Sequence, residues 1–312
     1  MVTKPVEEFI PRKIEDPKLS EILNQFAALI DETVNFGSHV FNWCFTSIPG
    51  GDENIPIFLS YRHVFELIDS ISLLVKHSCI EPCKILLRAI FESTLSIEYI
   101  LEKDTERRGM DFMVWYFHQE LKILRRWDSD DQMYKEFRKK LEGSKVLGNW
   151  KLPDFPHIKE EIAKKREILK KPRYIESQRE FKRFKRKEGR VPRSWFSLHN
   201  GPINIEKLAE HLGRLDRYII LYKQWSSVVH GIDIIRGKIS IDESGKVAVW
   251  QIRTPRDAQM VTQFAVSFAL TNINNFVNRF IPNKKQEVSK WYVKEIRELY
   301  LGLLEKEIIK VK

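Results

Sequence analysis

The segment from Ile80 to Leu101 constrains the fold most, because it is apolar around almost its whole circumference at the helical period. A helix of this kind must be covered on nearly every side, so we expect it to lie inside a helical domain. If its one polar stripe faces inward, the stripe holds a buried ion pair that is costly to desolvate. If the stripe faces water, the pair is an ordinary surface one worth a few tenths of a kcal/mol. The stripe has members four residues apart, namely Lys84, Arg88, Glu92 and Ser96.

Apolar residues at the same period recur along most of the chain and predict further helices. Asp16-Pro17 has the composition of a helix start, and residues 204–230 read as one helix that leads to the core. Residues 237–252 alternate apolar and polar side chains around a glycine-containing turn, which is typical of a β-hairpin. The expected fold class is therefore all-α, a multi-helix bundle with one small β-hairpin, folded as a single domain over residues 1–312.

The chain carries a net charge of +10 that is concentrated in one segment. Residues 159–193 hold 15 Lys and Arg against 6 Asp and Glu, and we interpret residues 157–193 as a basic helical insertion. Such a segment attracts a polyanion through phosphate neutralisation and counterion release, although a solvated helical face is the alternative. Phe181 and Phe184, three residues apart, are expected to dock the helix. The residues expected to bind nucleic acid, RNA rather than DNA, are Arg179, Lys182, Arg183, Lys185, Arg186, Lys187 and Arg190.

Several classes of protein are disfavoured by what the sequence lacks. No apolar run reaches the roughly 18 residues of a membrane helix, so we expect no membrane partner. Cys44, Cys79 and Cys83 form neither a disulfide framework nor a zinc motif, which favours a reducing cytoplasm and no metal. Glycine-rich phosphate and dinucleotide loops are missing as well, so no cofactor is expected.

The predicted helix at 204–230 ends in a polar series formed by Tyr222, Ser226 and His230 and is closed by Gly231. Histidine titrates near neutral pH and acts as a general acid or base in many enzymes. A histidine at a helix end is equally suited to a structural role, because its positive charge interacts favourably with the helix dipole and the glycine is a left-handed cap. The residues alone leave both interpretations open.

Together, the two helices resemble the bacterial domain-of-unknown-function family 5677. Arg88 and Glu92 match the Arg-x-x-x-Glu helix of that family, and the polar helix end matches its Tyr-x-x-x-Ser-x-x-x-His-Gly pattern. The resemblance covers roughly residues 20–280 and implies that the two motifs face each other in one cleft. The catalytic residues it implies are Arg88, Glu92, Tyr222, Ser226 and His230.

An arginine paired with a histidine is also similar in kind to HEPN-type ribonucleases, helical enzymes that cleave RNA without a metal. Their motif is Arg, four to six residues, then His. Arg193 and His199 fit that spacing, but a match of this kind is expected by chance. In this chain Arg88 and His230 would have to supply the pair from separate helices.

The function expected from the basic segment and the motifs is therefore that of an RNA-directed protein, a metal-independent endoribonuclease of a bacterial toxin or antiviral defence system. The alternative is a non-catalytic helical module that binds a partner protein or a small ligand in the Arg88/His230 cleft. Whether the chain is an enzyme, and whether it forms a homodimer or binds another protein, is left open by the sequence.

Overall fold

The computed structural model describes residues 14–47, 51–146, 155–225, 239–241, 245–249, 251–305 and 308–309. These residues form an all-α fold, as the helical periodicity predicts. None of the described helices is both long and apolar enough to cross a membrane. In chain order the helices are α1 (Pro17–Ser47), α2 (Ile55–Lys76), α3 (Ile80–Glu102), α4 (Thr105–Arg125), α5 (Gln132–Glu142), α6 (Ile158–Ile168), α7 (Ile175–Glu188), α8 (Ile205–His211), α9 (Leu215–Arg217), α10 (Ala258–Phe280), α11 (Lys285–Trp291) and α12 (Arg297–Glu305).

Shorter helical turns join several of these elements. Two are π-helical, at Tyr218–Gln224 after α9 and at Tyr292–Ile296 after α11. The others are 3-10 turns at Asp52–Asn54, Pro172–Tyr174, Trp195–Asn200 and Pro282–Lys284.

Strand pairing is confined to two three-residue segments within the region predicted as a hairpin. Ile239–Ile241 pairs antiparallel with Val247–Val249, and Ser240 lies opposite Ala248. The connecting residues 242–244 lie outside the described ranges. The Ile and Val side chains of both segments are exposed, so the pairing adds no layer to the hydrophobic core.

The chain divides into two compact units. The first is built from residues 1–50, 57–101 and 209–312, and the second from residues 51–56 and 102–208, counting in each only the residues that the structure describes. The helices of the predicted basic insertion belong to the second unit, where they share a core with α4. The interpretation of residues 1–312 as a single domain stays a prediction.

In the core of the first unit, aromatic rings and buried polar pairs join α2, α3 and α10. The rings of Tyr61 on α2 and Phe276 on α10 have their centroids 3.7 Å apart. Asn272 of α10 is fully buried, and its amide donates a hydrogen bond of 2.9 Å to the hydroxyl of Thr94 on α3. The hydroxyl of Ser72 on α2 donates to the carbonyl of Ala27 on α1. A buried polar group without such a partner would be destabilising, so these bonds fix how the helices meet.

In the second unit, α4 is the central element of the core. Helices α6 and α7 and the turn Trp195–Asn200 all pack on it. Phe181 of α7 is 3% exposed within this core, and Phe184 is partly buried against it. The two phenylalanines therefore anchor α7 by one face, and the remaining faces carry its basic side chains.

The segment predicted as one helix over 204–230 is interrupted, which corrects that prediction. Helix α8 ends at His211, and Gly213 takes the left-handed conformation with φ 66°. The Arg214 amide donates back to the Ala209 carbonyl at 2.7 Å, which satisfies a carbonyl at the end of α8. A glycine just beyond a helix is the usual way to end it, and the apolar periodicity continues on both sides of the break.

We expect the substitution Gly37→Ala to destabilise the first unit. A Cβ on Gly37 would lie 2.1 Å from the ring of Phe65, which is itself buried. Overpacking of this kind costs about 1–3 kcal/mol, measured as the free energy of unfolding in urea. The matched control is Gly302→Ala in α12, where a Cβ would meet nothing within 4 Å, and where alanine is expected to stabilise the helix by about 0.5–1 kcal/mol. Equal effects of the two substitutions would contradict the packing described here.

Candidate functional site

The polar stripe of α3 changes from buried to half-exposed along its length, so neither alternative from the sequence holds for all of it. The side chain of Lys84 is 8% exposed, that of Arg88 is 18% exposed and that of Glu92 is 44% exposed. Ser96 donates its hydroxyl to the Glu92 carbonyl one turn back, at 3.0 Å. The stripe therefore enters the core at its N-terminal end and approaches the surface near Glu92.

Lys84 at the buried end joins α3 to the start of α10. Its ammonium lies 2.6 Å from Glu81 and 2.8 Å from Asp257, the residue before α10. Burial by itself lowers the pKa of Lys84, but the hydrogen bonds to Asp257 and Glu81 outweigh it and raise the pKa above its ordinary value. The ammonium is thus held charged, and we interpret Lys84 as a structural residue.

Arg88 is the centre of the candidate site, and it contacts both predicted motifs. Its Nη2 donates a hydrogen bond of 2.6 Å to the Tyr222 hydroxyl, and its Cζ lies 3.8 Å from the centroid of the Tyr222 ring. Its Nε lies 3.4 Å from Glu92 Oε1. The guanidinium is therefore fixed by an ion pair, a hydrogen bond and a cation–π contact. Helix α3 and the segment around Tyr222 therefore meet at Arg88.

Tyr222 is placed by the π-helical turn Tyr218–Gln224. Its ring stacks on that of Tyr218, with centroids 5.0 Å apart and 19° between the planes. Lys223 lies 5.9 Å from the centroid of the Tyr218 ring. Single π-helical turns inside helices are rare and occur often at functional sites, because they change which side chains share a face. Nothing in the apolar periodicity of this segment predicted such a turn.

The remaining members of the predicted catalytic set, Ser226 and His230, lie outside the described ranges, as does Gly231. The structure thus brings together Arg88, Glu92 and Tyr222. Their catalytic roles, and those of Ser226 and His230, stay predictions. The described part of the site offers a fixed guanidinium for a negative charge and a half-exposed carboxylate beside it.

Of the seven predicted nucleic-acid contacts, Arg183 is already occupied by a carboxylate. Its Nε and Nη2 lie 2.5 and 2.8 Å from the two oxygens of Glu180, which is almost fully buried and also accepts the His199 amide at 3.0 Å. The hydrogen bond from Arg183 is the main cause that lowers the pKa of Glu180. Because this pair compensates a buried charge, Arg183 is less available to a phosphate than the spacing predicts.

The other six predicted contacts are exposed basic side chains on or just after α7. Lys187 lies 3.7 Å from Glu188. The rest have no carboxylate partner among the residues that the structure describes, and they are Arg179, Lys182, Lys185, Arg186 and Arg190. The available positive charge is therefore concentrated on the faces of α7 that its phenylalanine anchors leave exposed.

His199, the histidine of the chance Arg-to-His match with Arg193, has a structural role in the second unit. His199 takes a left-handed backbone conformation with φ 53°, and its Nε2 lies 3.3 Å from the buried Asp111. The Asp111 carboxylate, which accepts from the charged imidazole, raises the pKa of His199 above its ordinary value despite partial burial. Arg107 lies 3.2 Å from the other oxygen of Asp111. The imidazole thus belongs to a network around a buried carboxylate.

One feature that the sequence did not predict is a cleft of about 870 Å³ lined by α4, α6 and α7, with Met133 of α5 also in its wall. Seven of its lining residues are lysines or arginines; six come from the three helices, and Lys170 follows the end of α6. His118 also lines it, and a lone histidine in a helix gave no signal in the sequence. A cleft assembled from three helices leaves no motif in any one of them.

Metal-binding geometry is not found in the described part of the chain, where no group of three His, Cys, Asp or Glu side chains converges. Cys44, Cys79 and Cys83 are free thiols, and Cys44 and Cys83 are buried.

Comparison with known proteins gives one match. A family model described as "Family of unknown function (DUF5677)" matches residues 54–246. This range is shorter at both ends than the region over which the motifs indicate the resemblance, and it includes both motifs. No curated protein and no solved structure matches the chain.

We expect Tyr222 to stabilise the first unit through two separable contacts with Arg88. Tyr222→Phe removes the hydrogen bond and keeps the ring, which should cost about 0.5–1.5 kcal/mol. Tyr222→Leu also removes the cation–π contact, which should add about 0.5–1 kcal/mol. Urea unfolding followed by circular dichroism measures both free energies.

Glu92→Gln is the control for this series, because the half-exposed Glu92 carboxylate should contribute less than about 0.5 kcal/mol. If Tyr222→Phe and Tyr222→Leu destabilise equally, the stacked guanidinium is not a stabilising contact.

Proposed function

The chain belongs to the DUF5677 family of unknown function, and we propose that this member is an RNA-directed protein that binds the phosphate backbone through α7. The observation that carries the proposal is the group of exposed cations on α7 that no described carboxylate neutralises. Neutralising phosphates with such side chains releases counterions, which is the main source of affinity in nonspecific nucleic-acid binding.

The spacing of these cations suits a backbone. Arg179, Lys182 and Arg186 are three and four residues apart, so they share one stripe of α7. At a helical rise of about 1.5 Å per residue, the stripe is about 10 Å long. Phosphates in one strand of a duplex follow one another at about 3.4 Å along the axis, so the stripe can contact about three of them. Phe181 is buried on the opposite side and keeps the stripe outward.

We further propose that Arg88, Glu92 and Tyr222, with Ser226 and His230, form a metal-independent ribonuclease site. His230 takes the proton of a ribose 2′-hydroxyl, the 2′-oxygen attacks the adjacent phosphorus, and the bond from phosphorus to the 5′-oxygen breaks with a proton returned to that oxygen. Arg88 stabilises the charge that develops on the phosphorane oxygens. The products are a 2′,3′-cyclic phosphate and a 5′-hydroxyl.

In this mechanism the contacts of Arg88 have a positioning role. Glu92 holds Nε, and the Tyr222 hydroxyl accepts from Nη2, so the hydroxyl hydrogen of Tyr222 points away from Arg88. The requirement for a 2′-hydroxyl accounts for the choice of RNA over DNA. A cytoplasmic toxin or antiviral defence protein is the biological setting that fits such an activity.

The alternative function is a non-catalytic helical module that binds a partner protein or a small ligand beside Arg88. It is favoured by the same contacts, because a guanidinium that is 18% exposed and held by Glu92 and Tyr222 also fits a structural network. Only the first function requires cleavage of RNA, so an activity measurement separates the two.

We expect RNA binding to weaken steeply with salt and to depend on α7. Charge reversal of Arg179, Lys182 and Arg186 to Glu should weaken binding of a labelled single-stranded RNA for every sequence tested. Each phosphate contact on a single strand contributes about 0.7 to the slope of log K against log salt, so the loss of three should flatten the slope by about 2. Fluorescence anisotropy over a KCl series measures both quantities.

The matched control reverses three exposed cations of the other unit, Lys285, Lys290 and Arg297, with the same change in net charge. Binding that falls equally in both variants would mean that overall charge and not α7 attracts RNA. Absence of binding at low salt would remove the proposal.

We expect the purified protein to cleave single-stranded RNA in EDTA and to leave 2′,3′-cyclic phosphate ends. His230→Ala and Arg88→Met should each remove nearly all cleavage while the melting temperature of the His230→Ala protein stays unchanged. A DNA oligonucleotide with one ribonucleotide has a single 2′-hydroxyl, so it should be cleaved only there. Mass spectrometry of its products therefore reports the attacking 2′-oxygen directly.

Three results would argue against this mechanism. Cleavage that the His230→Ala protein retains would come from another site or a contaminant. Unfolding of that protein would show that His230 is structural. Loss of activity in EDTA would require a metal.

A further inference from the structure

The cationic cleft of the second unit has the size of a small-molecule site. Its volume is about 870 Å³, within the range of about 300–1,000 Å³ that ligand pockets occupy. Its wall is formed by α4, α6 and α7. These helices share one core around Phe117, Leu169 and Phe181, so most of the cleft is fixed by the packing of the unit. Lys170 and Val191 line it from the segments that follow α6 and α7.

The charge of the cleft is almost entirely positive. Two of its seven cations are paired, Arg125 with Asp131 at 2.7 Å and Lys170 with Glu167 at 2.5 Å. The other five form no salt bridge in the part of the chain that the structure describes, although Arg166 also interacts electrostatically with Asp131. No described Asp or Glu lines the cleft. Like charges held this close repel one another and raise the affinity for an anion. The five are Lys122 of α4, Arg166 of α6, and Arg179, Lys182 and Lys185 of α7.

Below these cations the cleft is apolar. Leu121, Leu169 and Phe181 belong to the buried core and also line the cleft. The exposed side chains of Ile175 and Val191 add to its apolar lining. A site that only tracked a phosphate backbone would have no need of an apolar wall. The combination of an apolar floor and a cationic rim suits an organic ligand with a flat ring at one end and several phosphates at the other.

His118 forms part of the wall and remains neutral near physiological pH. Its ring stacks on Phe181, with centroids 3.9 Å apart and 5° between the planes. Burial lowers the pKa of His118, and Lys182 and Lys185 lower it further, while the hydrogen bond to Gln178 opposes them. With Nε2 2.8 Å from the Gln178 oxygen, the neutral ring donates there and leaves Nδ1 as an acceptor.

We propose that this cleft binds a nucleotide that carries two or more phosphates. The phosphates lie among Lys122, Arg166, Lys182 and Lys185, and the base lies against the apolar floor. The site goes beyond the proposed binding of RNA, which uses the outward stripe of α7, although Arg179 and Lys182 border both. Its ligand is a small molecule and not a polymer.

Isothermal titration at low salt tests the proposal with ATP, GTP, CTP and UTP as separate probes, and with adenosine and inorganic tripolyphosphate as the two halves of the ligand. We expect at least one triphosphate to bind more tightly than tripolyphosphate, and adenosine to bind much more weakly than ATP. Lys122→Glu/Arg166→Glu should weaken binding about 100-fold, because each lost charged hydrogen bond costs about tenfold or more.

The control variant Lys139→Glu/Lys140→Glu makes the same change in charge at two exposed residues of α5 that do not line the cleft. It should leave nucleotide affinity within a few-fold. Circular dichroism melting of both variants establishes that each is folded before affinities are compared.

His118 supplies a second measurement that places the ligand in the cleft. Bound phosphates offset the charges of Lys182 and Lys185, so the pKa of His118 should rise on binding. Histidine-labelled NMR spectra follow this titration, and His118→Gln identifies the resonance among the eight histidines. A bound nucleotide that leaves the pKa of His118 unchanged lies elsewhere.

Four other outcomes would overturn the proposal. They are no binding by any triphosphate, equal losses in the cleft and control variants, tripolyphosphate affinity that matches every nucleotide, and adenosine affinity that matches ATP. If single-stranded RNA displaces the nucleotide and the cleft variant loses RNA binding as steeply as the α7 variant, the cleft belongs to the RNA surface. RNA binding that fails while ATP binds would refute the proposed function alone.

Discussion

Burial of charge is the constraint on which this arrangement of helices depends. Four charged side chains among the described residues are almost fully buried, Lys84, Arg108, Asp111 and Glu180, and each lies against an opposite charge. An unpaired charge at any of these positions would cost several kcal/mol, so the partners must be in place for the helices to pack. Lys84 and Asp111 each have a partner from a distant point of the sequence, Asp257 and His199. The partners of Arg108 and Glu180 are nearby in the sequence. The two distant pairs therefore specify which segments meet.

The same pairing separates the basic residues of the second unit into two kinds. Arg183 neutralises Glu180 and helps to hold the turn that contains His199. Arg179, Lys182 and Lys185 form no described ion pair; the first two border both the outer stripe of α7 and the cleft, and Lys185 lines the cleft. A charge run that looks uniform in the sequence thus combines structural and available cations. Only the available ones can carry a function that depends on anions.

Helical periodicity was sufficient to predict the all-α fold and the burial of α3, because both depend on the number of apolar residues on each face. The Asp16-Pro17 pair predicted the start of α1, where Asp16 accepts the Lys18 amide at 2.9 Å. Periodicity did not predict the break at Gly213, since apolar residues continue on both sides. The expectation that Arg88 lies near Tyr222 came from the resemblance of their two motifs to a known family. The cleft around His118 could not be predicted, because its cations become neighbours only when α4, α6 and α7 pack.

The π-helical turn before Trp225 has a consequence for how this segment tolerates change in length. A π turn is equivalent to one extra residue inserted into an α-helix, and an α-helix rotates by about 100° per residue. Deleting one residue between 218 and 224 would relax the turn to α geometry, and the side chains within the turn would move around the helix by up to about that angle. Tyr222 could then no longer face Arg88 while Leu221 and Trp225 stay buried. The length of this short stretch is thus fixed, because Tyr222 must face Arg88 while its neighbours face the core. Substitutions there are tolerated more easily than insertions or deletions.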